Sequence, residues 1–189
     1  VPYRNLRDAT CLDIDGGRGS PGRTSREQRF VHVMSYNLLA SYLAKPDYFG
    51  TSPQICDFEF RGPRIIEEIS QSGATLLCLQ EVDRIDDFYH EKLSELGFNV
   101  HYAKRVPASA QENTIAIAYK AGEWRCIDCE VIDLGDTAKW FPDNPEFNLS
   151  KKAMLALLQH TRSNTTIVLG NAHFEHDPAK DHVKFAQAS

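Results

Sequence analysis

Three short segments each close an apolar run with polar residues: Ser35-Tyr36-Asn37, Leu79-Gln80-Glu81 and Asn171-Ala172-His173. The ends of strands are where a sheet presents polar groups at a crevice while its body stays buried. Glu81 follows the run Thr75-Leu76-Leu77-Cys78-Leu79, so its carboxylate must be paired, solvated or bound to a cation. Asn37 can orient a carboxylate or contact a phosphate oxygen, and His173 can donate to one or move a proton. Taken singly, they read as a turn residue, a surface ion pair and a structural histidine. Together, a hard carboxylate, an amide and an imidazole suit a magnesium-dependent phosphoester site.

Other groupings carry less chemistry. Gly17-Arg18-Gly19-Ser20-Pro21-Gly22 has the spacing of a dinucleotide fingerprint, but no strand precedes it, Pro21 interrupts it and no periodic helix follows. Cys126-Ile127-Asp128-Cys129 has the spacing of a redox or zinc pair, yet no second pair exists and the segment reads as a strand. His176 and Asp177 are best explained as the loop and cap of a following helix. Trp124, Trp140, Phe141 and Phe147 could stack on bases, although aromatic residues at that density fill or edge a core.

The elements that must position the three segments alternate short apolar strands with amphipathic helices. Phe30 to Tyr36 reads as a strand, and Thr75 to Gln80 as a strand buried on both faces. Between them, residues 41 to 60 look irregular, and Arg64 to Ser72 places Ile65, Ile66 and Ile69 on one helical stripe ended by Gly73. Ile85, Phe88, Tyr89, Leu93 and Leu96 recur at helical spacing, again ended by a glycine, Gly97. Further strands are expected at 99–103, 114–119, 124–134, 154–160 and 166–172, with a turn at 161–165 and a loop over 136–148. Asp177-Pro178 opens a final helix.

The whole chain has 189 residues, 42% hydrophobic and 25% charged, which fits a globular domain rather than a disordered chain. Its net charge of -5 does not by itself pull it onto nucleic acid, so such a substrate would need a local cationic groove or a bound metal. Residues 1–29 hold six arginines and few apolar side chains, and are expected to form a flexible basic arm ahead of a domain over 30–189. Five cysteines without framework spacing suit reduced thiols and a cytoplasmic location, with nucleus and mitochondrion left open. No apolar run is long enough to read as a membrane span.

Val33-Met34-Ser35-Tyr36-Asn37-Leu38-Leu39-Ala40, Leu77-Cys78-Leu79-Gln80-Glu81-Val82 and Gly170-Asn171-Ala172-His173, followed by His176-Asp177-Pro178, occur in that order. In these segments the chain resembles the endonuclease/exonuclease/phosphatase superfamily, and within it the carbon-catabolite-repressor-type poly(A) deadenylases and their relatives nocturnin and Angel. The resemblance runs from about Phe30 to Ser189. It implies an α+β, DNase I-like four-layer sandwich of two mixed sheets flanked by helices, of which about the first half is present. It also implies a Mg2+-dependent phosphodiesterase (Mn2+ as an alternative ion), a 3′-to-5′ exoribonuclease acting on poly(A) RNA and releasing nucleoside 5′-monophosphates.

Carried over by residue, the resemblance makes Glu81 the metal ligand and Asn37 a group that positions metal and scissile phosphate. His173 would stabilise charge on the phosphoryl group, and Pro178 would lie against the substrate base. The sequence departs from the family pattern at Glu112-Asn113, at Lys152-Ala153 and at Ala172. The family's later Gly-Asp-x-Asn segment and terminal Asp-His pair have no counterpart in these residues. Two expectations follow: the chain alone is inactive, and the inner face of its first sheet lacks a partner unless another protein or a C-terminal half covers it. The alternatives are a non-catalytic scaffold or binding relative, or a phosphatase or phosphodiesterase for a small nucleotide or inositol phosphate.

Overall fold

The computed structural model describes residues 10–13, 30–103, 114–135, 151–174 and 177–188. They form two sheets, with helices packed on one face of the first. In the first sheet, β1 (Thr10–Asp13), β2 (Phe30–Asn37), β3 (Leu76–Val82), β4 (Phe98–Tyr102) and β5 (Thr114–Lys120) lie in the order β1-β2-β3-β5-β4. Only β2 and β3 run parallel, with Asn37 opposite Gln80, so their C-terminal ends meet at one edge. The second sheet is an antiparallel meander of β6 (Trp124–Asp133), β7 (Lys152–His160) and β8 (Thr166–Ala172).

A parallel pair needs a crossover, and the chain between β2 and β3 supplies it. Two single-turn helices, α1 (Pro46–Phe49) and α2 (Pro53–Cys56), lead into α3 (Phe58–Gln71). The stretch expected to be irregular is thus partly helical, and α3 begins six residues before the predicted start. Gly62 and Pro63 resemble breakers in sequence, but Asp57 caps the helix by accepting from the Glu59 N–H at 3.1 Å. Burial of Phe58, Ile65 and Ile69 then offsets the one backbone bond that proline removes. A π-helical turn at Ile85–Tyr89 feeds α4 (His90–Glu95), and a 3-10 turn at Pro178–Lys180 feeds α5 (Asp181–Ala188). Asp177 caps that last turn through the Ala179 N–H at 2.9 Å, as its sequence position suggests.

The alternation of β3 divides the core in two. Leu77 and Leu79 face the helices with Phe58, Ile65, Ile69, Tyr89 and Leu93, while Leu76 and Cys78 face β7 and β8 with Ile117, Met154, Ala156 and Leu158. This corrects one expectation. The inner face of the first sheet is not left bare, because the three strands expected after residue 120 pair with one another and cover it. The apolar face left open among the described residues is the outer side of the second sheet, where Leu155 and Val168 are exposed. Within the arm, Thr10–Asp13 pairs antiparallel with Phe30–Val33. Backbone groups at a sheet edge seek partners whatever the side chains, so polar composition did not reveal that strand. The rest of the arm and the loop at 136–148 lie outside the described residues.

The sheets are tied by one buried amide. Asn171, 4% exposed, donates from Nδ2 to the carbonyls of Leu79 and Ala116 at 2.9 Å each, and its Oδ1 accepts from Gln80 Nε2 at 2.7 Å. Replacing it by alanine would strand these buried groups, so Asn171→Ala should cost about 2–4 kcal/mol in urea unfolding. Close by, burial pushes the Cys78 thiol up to about 11. A raised thiol contributes stability below its ordinary value of 9.0 and loses it as pH rises toward 11. Cys78→Ala should therefore flatten the decline in stability between those pH values, measured by denaturant titration at each pH.

Candidate active site

The parallel β2–β3 pair brings Asn37 beside Glu81, and the intersheet amide brings His173 to the same edge, two residues beyond Asn171. Asn37 Nδ2 donates to Glu81 Oε1 at 2.8 Å. His173 Nε2 lies 3.7 Å from the same oxygen, close enough for an ion pair when the ring is protonated. The carboxylate side chain is 12% exposed and the imidazole 23%, so both border a solvent-facing edge without projecting from it. The three residues singled out from sequence thus form one cluster.

A local defect in the ladder aims Glu81. Leu79 pairs with Ala116 and Val82 with Thr114, so β3 spends one more residue than β5 over that interval. Regular alternation would send Glu81 into the helix-side core with Leu77 and Leu79; the bulge gives that place to Val82 instead. Glu81 takes up the extra residue with φ +54°, a left-handed conformation that costs an L-residue with a Cβ about 1–2 kcal/mol. Such strain persists only where surrounding contacts over-determine it.

Those contacts come from the loop after β2. The Leu38 N–H donates to the Gln80 carbonyl at 2.9 Å, continuing the β2 pairing. The Leu39 N–H donates to Asn37 Oδ1 at 2.9 Å, the Ala40 N–H to Glu81 Oε2 at 3.2 Å and the Ser41 N–H to Asp83 Oδ2 at 2.6 Å. On its other side, the carbonyls of Leu38 and Leu39 both accept from Arg61 Nη2 of α3. Leu39 itself has φ +56°. Each oxygen of Glu81 accepts one hydrogen bond and retains a lone pair, which leaves the carboxylate fixed but able to bind a further positive group.

The sequence did not single out Asp83, Ser41 or Arg61. Asp83 had a signal, as a second acid two residues after Glu81, whereas Arg61 sat between the stretch read as irregular and the expected helix. Asn171 was grouped with the polar strand ends, but it is a buried strut between the sheets. Pro178 opens the turn that follows the His173 segment, and its side chain lies outside the described residues. Cys126 and Cys129 are half-buried in β6 across a bulge beside Tyr119, where burial raises both thiols. No group of three His, Cys, Asp or Glu side chains gathers as a metal cluster among the described residues. The Glu81 carboxylate, with its oxygens only partly occupied, fits a hard ion that keeps most of its water, and does not fit a zinc cage.

The fold is DNase I-like, similar to that of proteins of the endonuclease/exonuclease/phosphatase superfamily. Within it, the chain is similar to the CCR4-Not complex 3′-5′-exoribonuclease subunit Ccr4 of Mycosarcoma maydis, 26% identical over 200 residues, which span 96% of this chain and 29% of that protein. The Ccr4 subunit of Phaeosphaeria nodorum is 28% identical over 184 residues, with 88% and 31% covered. Among solved structures, ANGEL2, a 2′,3′-cyclic phosphatase, in complex with adenosine-2′,3′-vanadate, superposes with a TM-score of 0.72 at 25% identity, over 82% of this chain and 44% of that one. The human nocturnin catalytic domain with bound sulfate superposes with a TM-score of 0.67 at 20% identity, with 83% and 54% covered. No family model matches. The chain spans under a third of the length of these curated relatives and less than half of the ANGEL2 chain.

The backbone at Glu81 supplies a test of its own. Glycine adopts φ +54° freely and alanine does not, so Glu81→Gly should be more stable than Glu81→Ala by about 1 kcal/mol. Thermal unfolding of the two variants reads that difference; equal stabilities would mean that the left-handed conformation is not held.

Proposed function

We propose that this chain carries part of the active site of a Mg2+-dependent phosphodiesterase acting on RNA, a 3′-to-5′ exoribonuclease that prefers poly(A) and releases nucleoside 5′-monophosphates. The observation that carries the reading is the single cluster of Glu81, Asn37 and His173 at a strand edge. Its support is the similarity to Ccr4 exoribonuclease subunits across nearly the whole chain. Magnesium is bound by one or two carboxylates together with water and substrate phosphates, and Mn2+ tolerates the same donors.

In this site Glu81 would hold the ion through its remaining lone pairs, with Asn37 and the Ala40 N–H fixing the carboxylate. When bound, the ion offsets the charge that develops on the phosphoryl oxygens. His173, facing the same edge, would donate to a non-bridging oxygen and so stabilise that charge. Pro178 is proposed to lie against the terminal base. Four cysteines are free among the described residues, which agrees with a cytoplasmic setting. These 189 residues provide the ion and phosphate side of the site, and are proposed to bind without turning over, since the groups that activate the attacking water are assigned by the resemblance to segments without a counterpart here.

A second reading has a specific observation behind it. The similarity to ANGEL2, a 2′,3′-cyclic phosphatase, favours a terminal ribose phosphate as the group recognised, in place of an internal phosphodiester.

Fluorescence anisotropy of labelled oligoadenylate, with and without a 3′-terminal 2′,3′-cyclic phosphate, separates these readings. Binding should require Mg2+, favour oligoadenylate over oligouridylate and weaken about 10–100-fold in Glu81→Gln. Binding that ignores both EDTA and Glu81→Gln would overturn the metal-dependent assignment. A marked preference for the cyclic end would select the second reading, and ordinary turnover by the chain would overturn its proposed inactivity.

A further inference from the structure

The five residues from Asn37 to Ser41 form a clasp with two chemically distinct sides. The N–H groups of Leu39, Ala40 and Ser41 point to Asn37 Oδ1, Glu81 Oε2 and Asp83 Oδ2, all at the candidate site. The carbonyls of Leu38 and Leu39 turn the other way, toward α3, where one nitrogen of Arg61 donates to both. Two successive carbonyls converge on one donor only if the residue between them turns sharply, and Leu39 does so with φ +56°. No glycine eases that turn. The strained residue is therefore gripped from both sides, by the Asn37 amide at the site and by a guanidinium beneath it.

Arg61 sits there at a cost. Its Nη1 is buried without a hydrogen-bond partner, a penalty that an apolar side chain filling the same space would avoid. Arg61 as a whole is half-buried, so its guanidinium is not freely solvated. Packing alone does not account for a group of this kind. Holding two successive carbonyls from one fixed planar nitrogen does account for it, and a freely rotating lysine ammonium would hold them less rigidly.

We infer that Arg61 is a positioning residue for the Glu81 carboxylate: it fixes the Leu38–Leu39 turn and thereby the Ala40 N–H that holds Glu81 Oε2 for cation binding. The inference rests on the proposed cation site, but the two fail separately. Arg61 touches neither ion nor substrate in this scheme, and acts only through the clasp.

The test combines Mn2+ titration by calorimetry with amide hydrogen exchange on the 189-residue chain and its Arg61→Gln, Arg61→Lys and Glu81→Gln variants. Arg61→Gln should weaken Mn2+ binding about tenfold or more, the scale expected when a group supporting a ligand is lost. The Ala40 and Ser41 amides should exchange about tenfold faster while the amides of β3 and β5 keep their protection, because the loss is local. Arg61→Lys should recover part of both effects, and Glu81→Gln should abolish Mn2+ binding while Ser41 stays protected. If Arg61→Gln unfolds the chain, Arg61→Lys carries the same comparison. Unchanged Ala40 exchange in the Arg61 variants overturns the positioning role, as does unchanged Mn2+ affinity. If the parent chain binds no Mn2+, the cation reading falls, and exchange at Ala40 alone decides whether Arg61 holds the clasp.

Discussion

Everything at the candidate site depends on one carboxylate being held in a backbone conformation that its residue disfavours. Glu81 adopts a left-handed φ at a bulge, and a carboxylate left alone there would swing into solvent or toward any nearby cation. Asn37 and the Ala40 N–H prevent this by occupying one position on each oxygen. Strain in the chain and hydrogen bonds to the side chain are thus two halves of one device. The first turns the acid out of the hydrophobic layer, and the second fixes where it points.

The two layers of the core make that device affordable. Leu77 and Leu79 anchor β3 against the helices, and Leu76 and Cys78 anchor it against the second sheet. A strand clamped on both faces cannot shift its register to relieve a local strain, because a one-residue slip would send all four side chains into the wrong core layer. The intersheet amide adds a directional tie just before the bulge, where Leu79 loses regular pairing and its carbonyl finds Asn171 Nδ2. That tie also sets the distance between the sheets at the edge where His173 emerges.

Much of this was legible in the amino-acid sequence, and what was not has identifiable causes. The strands at 30–37, 114–120 and 166–172 stand out because β-branched and aromatic residues sit between clear turn signals. Glu81, Asn37 and His173 stand out because each breaks an apolar run. The assignment of β6, β7 and β8 to a separate sheet was not legible, since pairing partners leave no mark in the local pattern of a single chain. Helix α3 was shortened because Gly62-Pro63 reads as a break, although tertiary burial overrides that preference. Arg61 was not legible for a different reason: its role is defined by two carbonyls 23 and 22 residues away in sequence, and nothing in its own neighbourhood announces them.

The extra residue in β3 also sets the parity of the chain that follows. Val82 lies on the side of Leu79 only because three steps replace two, and Ile85, Phe88 and Tyr89 inherit their inward orientation from that starting point. Deleting one residue between Leu79 and Val82 would restore an unbroken ladder and yet leave the acid pointing between the sheets, sealed from water. The irregularity is what lets an otherwise oily strand end in a charge.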